Sequence, residues 1–199
     1  MLRHLSVLGA ALVVLLIAWT SARADFETGM AAYERGDYAA AMGAWRPLAD
    51  AGDAEAQYRV GTLYQYGYGV QRDYAEAVSW YETASAGGHR EAQFSLGWLY
   101  LHGGDAPGGS VTPDVAKAAF WLASAAEAGM GMAEYLIGRM HLEGSAGLAI
   151  DESYACTMLV RAAEHGVPMA QYEAGYLLGT GRGCERDEVA AYAWFAIAA

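Results

Sequence analysis

Five aspartates, Asp37, Asp73, Asp114, Asp151 and Asp187, recur at intervals of 36, 41, 37 and 36 residues. A glycine follows each of the first four at a constant 24 residues: Gly61, Gly97, Gly138 and Gly175. Equal spacing at this period marks stacked supersecondary units, none of which can bury its apolar face alone. The slots around these markers repeat as well. Five residues before each glycine is an alanine (Ala56, Ala92, Ala133, Ala170), and three before it an aromatic (Tyr58, Phe94, Tyr135, Tyr172). Six after it is a second glycine: Gly67, Gly103, Gly144, Gly181. Four after each aspartate is Ala41, Ala77, Ala118, Ala155 or Ala191. Bulky pairs follow at seven and eight: Trp80-Tyr81, Trp121-Leu122, Met158-Leu159, Trp194-Phe195.

Offsets of 4, 7 and 8 describe one face of a helix with 3.6 residues per turn. Each unit therefore reads as helix A, a Gly-rich turn, then helix B. Small residues at fixed slots let the helices approach, and the bulky ones, including the aromatics before each glycine, fill the space between layers. The second glycine suits a left-handed C-cap, and the aspartate suits an N-cap. Asp73 with Glu76 resembles a capping box. Thr112-Pro113-Asp114 reads as a cap followed by proline at the first helical position. Length varies only between glycine and aspartate: 12 residues in Gly61–Asp73 and Gly175–Asp187, 13 in Gly138–Asp151, 17 in Gly97–Asp114. The longest, with its insertion at 103–112, is expected to project from one edge of the stack, where repeat proteins tolerate extra residues.

The pattern resembles the Sel1-like repeat family, a branch of the tetratricopeptide-repeat-like superfamily. Residues 54–88, AEAQYRVGTLYQYGYGVQRDYAEAVSWYETASAGG, carry the likeness most fully. The expected division is a signal peptide over 1–24, a tetratricopeptide-like helix pair over 25–52, and repeats over 53–88, 89–129, 130–166 and 167–199. The last of these stops before its closing glycine. The resemblance implies an all-α, right-handed α-solenoid that serves as a protein-interaction scaffold. Met158 and His141 depart from the aromatic usual at their slots. The final stretch, 191–199, is almost wholly apolar. Solenoid ends need a polar cap, so the expectation is either further chain or another molecule packed there, including self-association through this C-terminal helix.

Arg3 and His4, the apolar run Leu5–Trp19 and the small-x-small triplet Ala22-Arg23-Ala24 have the layout of a cleavable secretory signal, cut after Ala24. The run is short for a membrane span, which leaves an uncleaved anchor as the second reading; no span is expected once the signal is removed. Loss of Arg3 and Arg23 takes the formal charge from −11 to −13. Such acidity opposes nucleic-acid binding, which needs a basic patch. The expected location is the bacterial periplasm or the exterior. Export permits a disulfide between the only two cysteines, Cys156 and Cys184. The alternative, a small core residue and a free loop thiol, stands beside it.

No phosphate loop, nucleophile elbow or Ser-x-x-Lys is present, and the histidines show no metal-ligand spacing. The chain is expected to be no enzyme and to need no cofactor or metal. The resemblance keeps one alternative, a weak β-lactamase-like hydrolase. Penicillin-binding members of the family, however, carry a cysteine pair within each repeat, which this chain lacks. Helix A lines the concave face in this architecture, so residues two before, one after and five after each glycine face a partner. The best candidates there are Trp98, Arg139, Tyr66 and Tyr176, supported by His102 and Arg59, because Trp, Tyr and Arg dominate binding energy. Tyr68 and the 103–112 loop form a rival surface. The partner is a protein or peptide.

Overall fold

The computed structural model describes residues 22–198, which leaves the expected signal peptide outside the described residues except for 22–24. Among the described residues ten α-helices follow one another: α1 (22–34), α2 (Tyr38–Asp50), α3 (Ala54–Tyr66), α4 (Tyr74–Ala86), α5 (Arg90–His102), α6 (Val115–Glu127), α7 (Gly131–Glu143), α8 (Glu152–Glu164), α9 (Pro168–Thr180) and α10 (Glu188–Ala198). Among the described residues, extended backbone pairs in a single isolated bridge, Gly104 with Val111. The chain forms two compact units. The first holds α1–α4 with Ala106–Gly109, and the second holds α5–α10. Within them, α3 packs on α4, α5 on α6, α7 on α8 and α9 on α10, and each B helix meets the next A helix as α2 on α3, α6 on α7 and α8 on α9.

The recurring aspartates start the B helices. Each carboxylate accepts the backbone N–H three residues on, at 3.1 Å for Asp37, 2.9 Å for Asp73, 3.0 Å for Asp114, 2.9 Å for Asp151 and 2.9 Å for Asp187. This satisfies an N–H that the helix leaves without an internal acceptor. Two local expectations are corrected. The N–H of Asp73 donates to Tyr64 O at 3.0 Å, so it is already occupied and no reciprocal capping box forms with Glu76. Thr112 and Pro113 precede the helix, with Asp114 as the cap and Val115 as its first residue. Gly67, Gly144 and Gly181 end their A helices in the left-handed conformation, whereas Gly103 combines φ 68° with ψ −174° and sends the chain into the longer loop.

The core follows one packing rule. The bulky residue eight after each aspartate lies on the glycine of the partner A helix. A Cβ at Gly61 would fall 2.7 Å from Tyr81, at Gly97 2.7 Å from Leu122, at Gly138 3.0 Å from Leu159 and at Gly175 3.0 Å from Phe195. The opening pair obeys the same rule through Gly29, which faces the wholly buried Trp45 and was not singled out by the 24-residue interval. The slot alanines are buried throughout, as at Ala56, Ala92, Ala133 and Ala170.

Two further expectations change. The insertion does not simply project. Residues 106–109 fold onto the N-terminus of α4, where Gly108 N–H donates to Arg72 O (3.2 Å) and Tyr74 N–H to Gly109 O (3.0 Å). Tyr172 does not enter a layer either. It is 62% exposed where Tyr135, its counterpart one repeat earlier, is 7% exposed. Tyr135 lies within the α7–α9 core and bonds Glu173 of α9, while Tyr172 has Phe195 of α10 as an aromatic neighbour. The apolar α10 leaves Val189, Tyr192 and Ile197 exposed.

Candidate partner-binding face

The A helices bury their alanine and glycine slots, while the residue one after the slot glycine is exposed at Trp98 and Tyr176 and half-buried at Arg139. In the first unit, α3 presents Arg59 and Tyr66. Arg59 Nε donates to Glu55 Oε1 at 2.7 Å, one turn back, and its guanidinium lies 5.5 Å from the Tyr58 ring. Tyr66 is 49% exposed and stacks at 5.5 Å on Tyr68, which itself stacks on Tyr38 at 4.5 Å. The Tyr66 site and the rival Tyr68 surface are thus one tyrosine cluster, joined also by Tyr33 at 5.3 Å from Tyr38. Burial, then the neighbouring Tyr68 and Tyr38, push the Tyr33 hydroxyl above the usual tyrosine pKa.

In the second unit the candidates form two groups. On α5, Trp98 is 40% exposed and stacks on His102 with centroids 4.0 Å apart. His102 Nδ1 lies 3.0 Å from Trp98 O, which holds the imidazole against the indole one turn along. On α7 and α9, Arg139 is the hub. Its Nε donates to Glu143 Oε1 at 2.8 Å, and its Nη1 to Glu173 Oε1 and to Tyr135 Oη, both at 3.2 Å. The bonds to Glu143 and Tyr135 hold the guanidinium pKa above its already high ordinary value, so it stays charged at any working pH. Arg139, Leu142, Glu143, Glu173, Tyr176, Leu177 and Arg182 line an open depression of ≈ 540 Å³. Tyr176, half exposed, contributes an aromatic ring to this lining, and the two leucines apolar surface.

Arg139 and Tyr176 are therefore brought together, as are Trp98 and His102, while Arg59 and Tyr66 sit on the separate first unit. Arg182 was missed because it lies in a turn rather than at an outward helix position. Its Nε donates to Glu152 Oε1 at 2.8 Å. Two residues on, Cys184 is bonded to Cys156 of α8, with Cα atoms 6.0 Å apart. Among the described residues, no group of three or more His, Cys, Asp or Glu is arranged to hold a metal ion, and no helix is long and apolar enough to cross a membrane.

Paired helices stacked through small-residue slots define a helical-repeat solenoid. The Sel1 repeat model matches residues 54–89, 90–130, 131–167 and 168–199, and the chain belongs to the Sel1 repeat family. Proteins of this family generally mediate protein–protein interaction. A Sel1 repeat protein from Oxalobacter formigenes is 29% identical, with TM-score 0.77 over 87% of this chain and 69% of that one. The protective antigen c5321 of uropathogenic Escherichia coli, which has an SLR fold, is 26% identical, with TM-score 0.79 over 91% of this chain. This chain spans only 38% of that antigen's length. No curated protein matches the sequence.

Proposed function

We propose that this chain is an exported bacterial adaptor that binds a protein or peptide along its A-helix face and performs no catalysis of its own. The observation that carries this reading is the placement of large aromatic and guanidinium side chains one residue after the slot glycine. Trp98, Arg139 and Tyr176 all hold that register in the second unit, and two are aromatic rings at least 40% exposed. A core role would bury such rings; an interaction role exposes them beside charged anchors. Export is supported by the leader-like start and by the disulfide, because such bonds persist in oxidising compartments. Likeness to a protective antigen supports access from outside the cytoplasm. Within the envelope, assembly of secretion or export machinery and regulation of cell-wall enzymes suit an acidic, peptide-holding scaffold.

The test is photo-crosslinking in the native host, with the probe at position 98 and a control probe at Tyr68, followed by mass spectrometry of the adducts. One dominant adduct at 98, lost in Arg139→Ala protein, is the expected result. An adduct at 68 alone overturns the assignment to the second unit and moves the partner to the tyrosine cluster.

A further inference from the structure

Two turns of equal length occupy the same register, and they are held down by different chemistry. In the first unit, residues 67–72 lie over the start of α2. Gly69 is flush against Tyr38, where a Cβ would fall 2.8 Å away, and Tyr68 stacks on the Tyr38 ring. Val70 and Met42 both pack on that unit's core. In the second unit, residues 181–186 lie over the start of α8. Gly183 is flush against the Glu152 backbone, Arg182 pairs with Glu152, and Cys184 is bonded to Cys156. Counted from the slot glycine and the capping aspartate, Gly183 corresponds to Gly69, Arg182 to Tyr68, Glu152 to Tyr38, Cys184 to Val70 and Cys156 to Met42. Where the first turn has a ring stack and an apolar contact, the second has an ion pair and a disulfide.

The substitution matters because Arg182 lines the depression with Arg139, Glu173 and Tyr176. Its ion pair with Glu152 is solvent-facing on both sides, at 42% and 41% exposure. Pairs of that kind contribute about 0–1 kcal/mol and cannot anchor a turn. Backbone bonds fix the two ends of the turn, Arg182 N–H to Leu177 O at 3.1 Å and Asp187 N–H to Leu178 O at 2.9 Å, and the covalent bond two residues on from Arg182 ties its middle to α8.

We infer that the Cys156–Cys184 bond positions Arg182, so that the partner-binding depression is complete only in the disulfide form. This rests on the adaptor reading above and adds to it a dependence on redox state. Cys156 is buried and Cys184 half-buried, so a dithiol reductant attacks the Cys184 sulfur. That attack forms a mixed disulfide and expels Cys156 as a thiolate, which takes up a proton. The second thiol of the reductant then closes its own ring and releases Cys184 as a thiol. Two electrons and two protons pass to the protein, and the dithiol leaves as a cyclic disulfide. The first turn has no such bond and serves as an internal reference.

Hydrogen exchange with peptide-level mass spectrometry, on oxidised protein and on protein reduced with dithiothreitol, tests the positioning without any partner. Exchange across 181–187 is expected to rise by about tenfold or more on reduction, as local opening becomes cheaper, while 67–72 stays unchanged. Unchanged exchange at 181–187, or equal loosening of both turns, overturns the inference. A photo-probe at Tyr176, in wild type and in C156S/C184S, tests the consequence. An adduct in wild type that is lost in the double variant is the expected result, and equal adducts in both overturn the redox dependence. Absence of adducts from both overturns the adaptor reading at this face, while the exchange result still decides whether the bond positions the turn.

Discussion

Glu134 Oε1 lies 2.7 Å from Arg161 Nη2, with the carboxylate wholly buried and the guanidinium side chain 37% exposed. Glu134 Oε2 is 2.6 Å from His165 Nδ1. The slot explains the arrangement. Four residues before the repeat glycine the other units carry Gln57, Gln93 and Gln171. Gln57 Nε2 donates to Ala49 O at 3.1 Å, tying helix A to the preceding B helix. In the third repeat the corresponding carbonyl, Ala126 O, receives Arg161 Nη2 at 3.1 Å. A carboxylate and a guanidinium together replace one amide.

The two partners are therefore unequal under mutation. Arg161→Ala leaves a buried carboxylate with His165 alone and is expected to cost about 3 kcal/mol, the low end for stranding a buried charge. Glu134→Gln is expected to cost about 1 kcal/mol or less, because the half-exposed Arg161 rehydrates and the new amide takes the role of Gln57. Urea denaturation of both variants checks this; equal losses would contradict it. The double variant Glu134→Gln/Arg161→Ala should be more stable than Arg161→Ala by itself.

The repeat, the B-helix caps and the small-residue slots were legible because each rests on local chemistry reiterated at a constant interval. Glu134 was not, since its partners lie 27 and 31 residues away and nothing local separates a buried glutamate from a solvated one. Arg182 was hidden by the assumption that contacts lie on helices. The return of 106–109 onto α4 depends on Gly108 and Gly109 lying against Asp73, whereas glycine in a loop signals only freedom. Tyr172 keeps the slot of Tyr135 but not its burial: Tyr135 bonds Glu173 of α9, whereas Tyr172 packs on Phe195 of α10. Of the candidate contacts, register predicted the outward placement of Trp98, Arg139 and Tyr176. The grouping of Arg139 and Tyr176 around a shared depression came from side-chain contacts between helices, and Trp98 stands apart with His102.

Gly61 and Gly43 separate close packing from helix propensity. Both sit inside helices, but a Cβ at Gly61 would lie 2.7 Å from Tyr81, whose hydroxyl is fixed by Gln65 at 2.6 Å, while Gly43 has nothing within 4 Å. Gly61→Ala is expected to destabilise by about 1–3 kcal/mol through overpacking. Gly43→Ala should stabilise by up to about 1 kcal/mol through reduced unfolded-state entropy. Thermal melts of the pair check the opposite signs, and a stabilising Gly61→Ala would contradict the ring-on-glycine rule.

The disulfide closes a loop with a sequence separation of 28 residues. On the chain-entropy account such a loop contributes about 3–4 kcal/mol. Cys156→Ala/Cys184→Ala protein should lose a comparable amount in denaturant titrations, with no further change on adding reductant. A loss below about 1 kcal/mol would mean that the unfolded chain is already constrained over this stretch.

Tyr33 gives the first unit an alkaline limit. Its folded pKa is raised by burial and by Tyr68 and Tyr38, so the folded state binds its proton more tightly than the unfolded chain does. The associated stability is present in full below the unfolded tyrosine value of about 10 and is lost as pH climbs through the raised folded value. Tyr33→Phe should remove this component, flattening the fall in stability above about pH 10 while leaving neutral-pH stability nearly unchanged. Denaturant titrations of both proteins from neutral to alkaline pH, followed by ring absorbance of the tyrosinates, check the assignment; parallel pH profiles would place the alkaline sensitivity elsewhere.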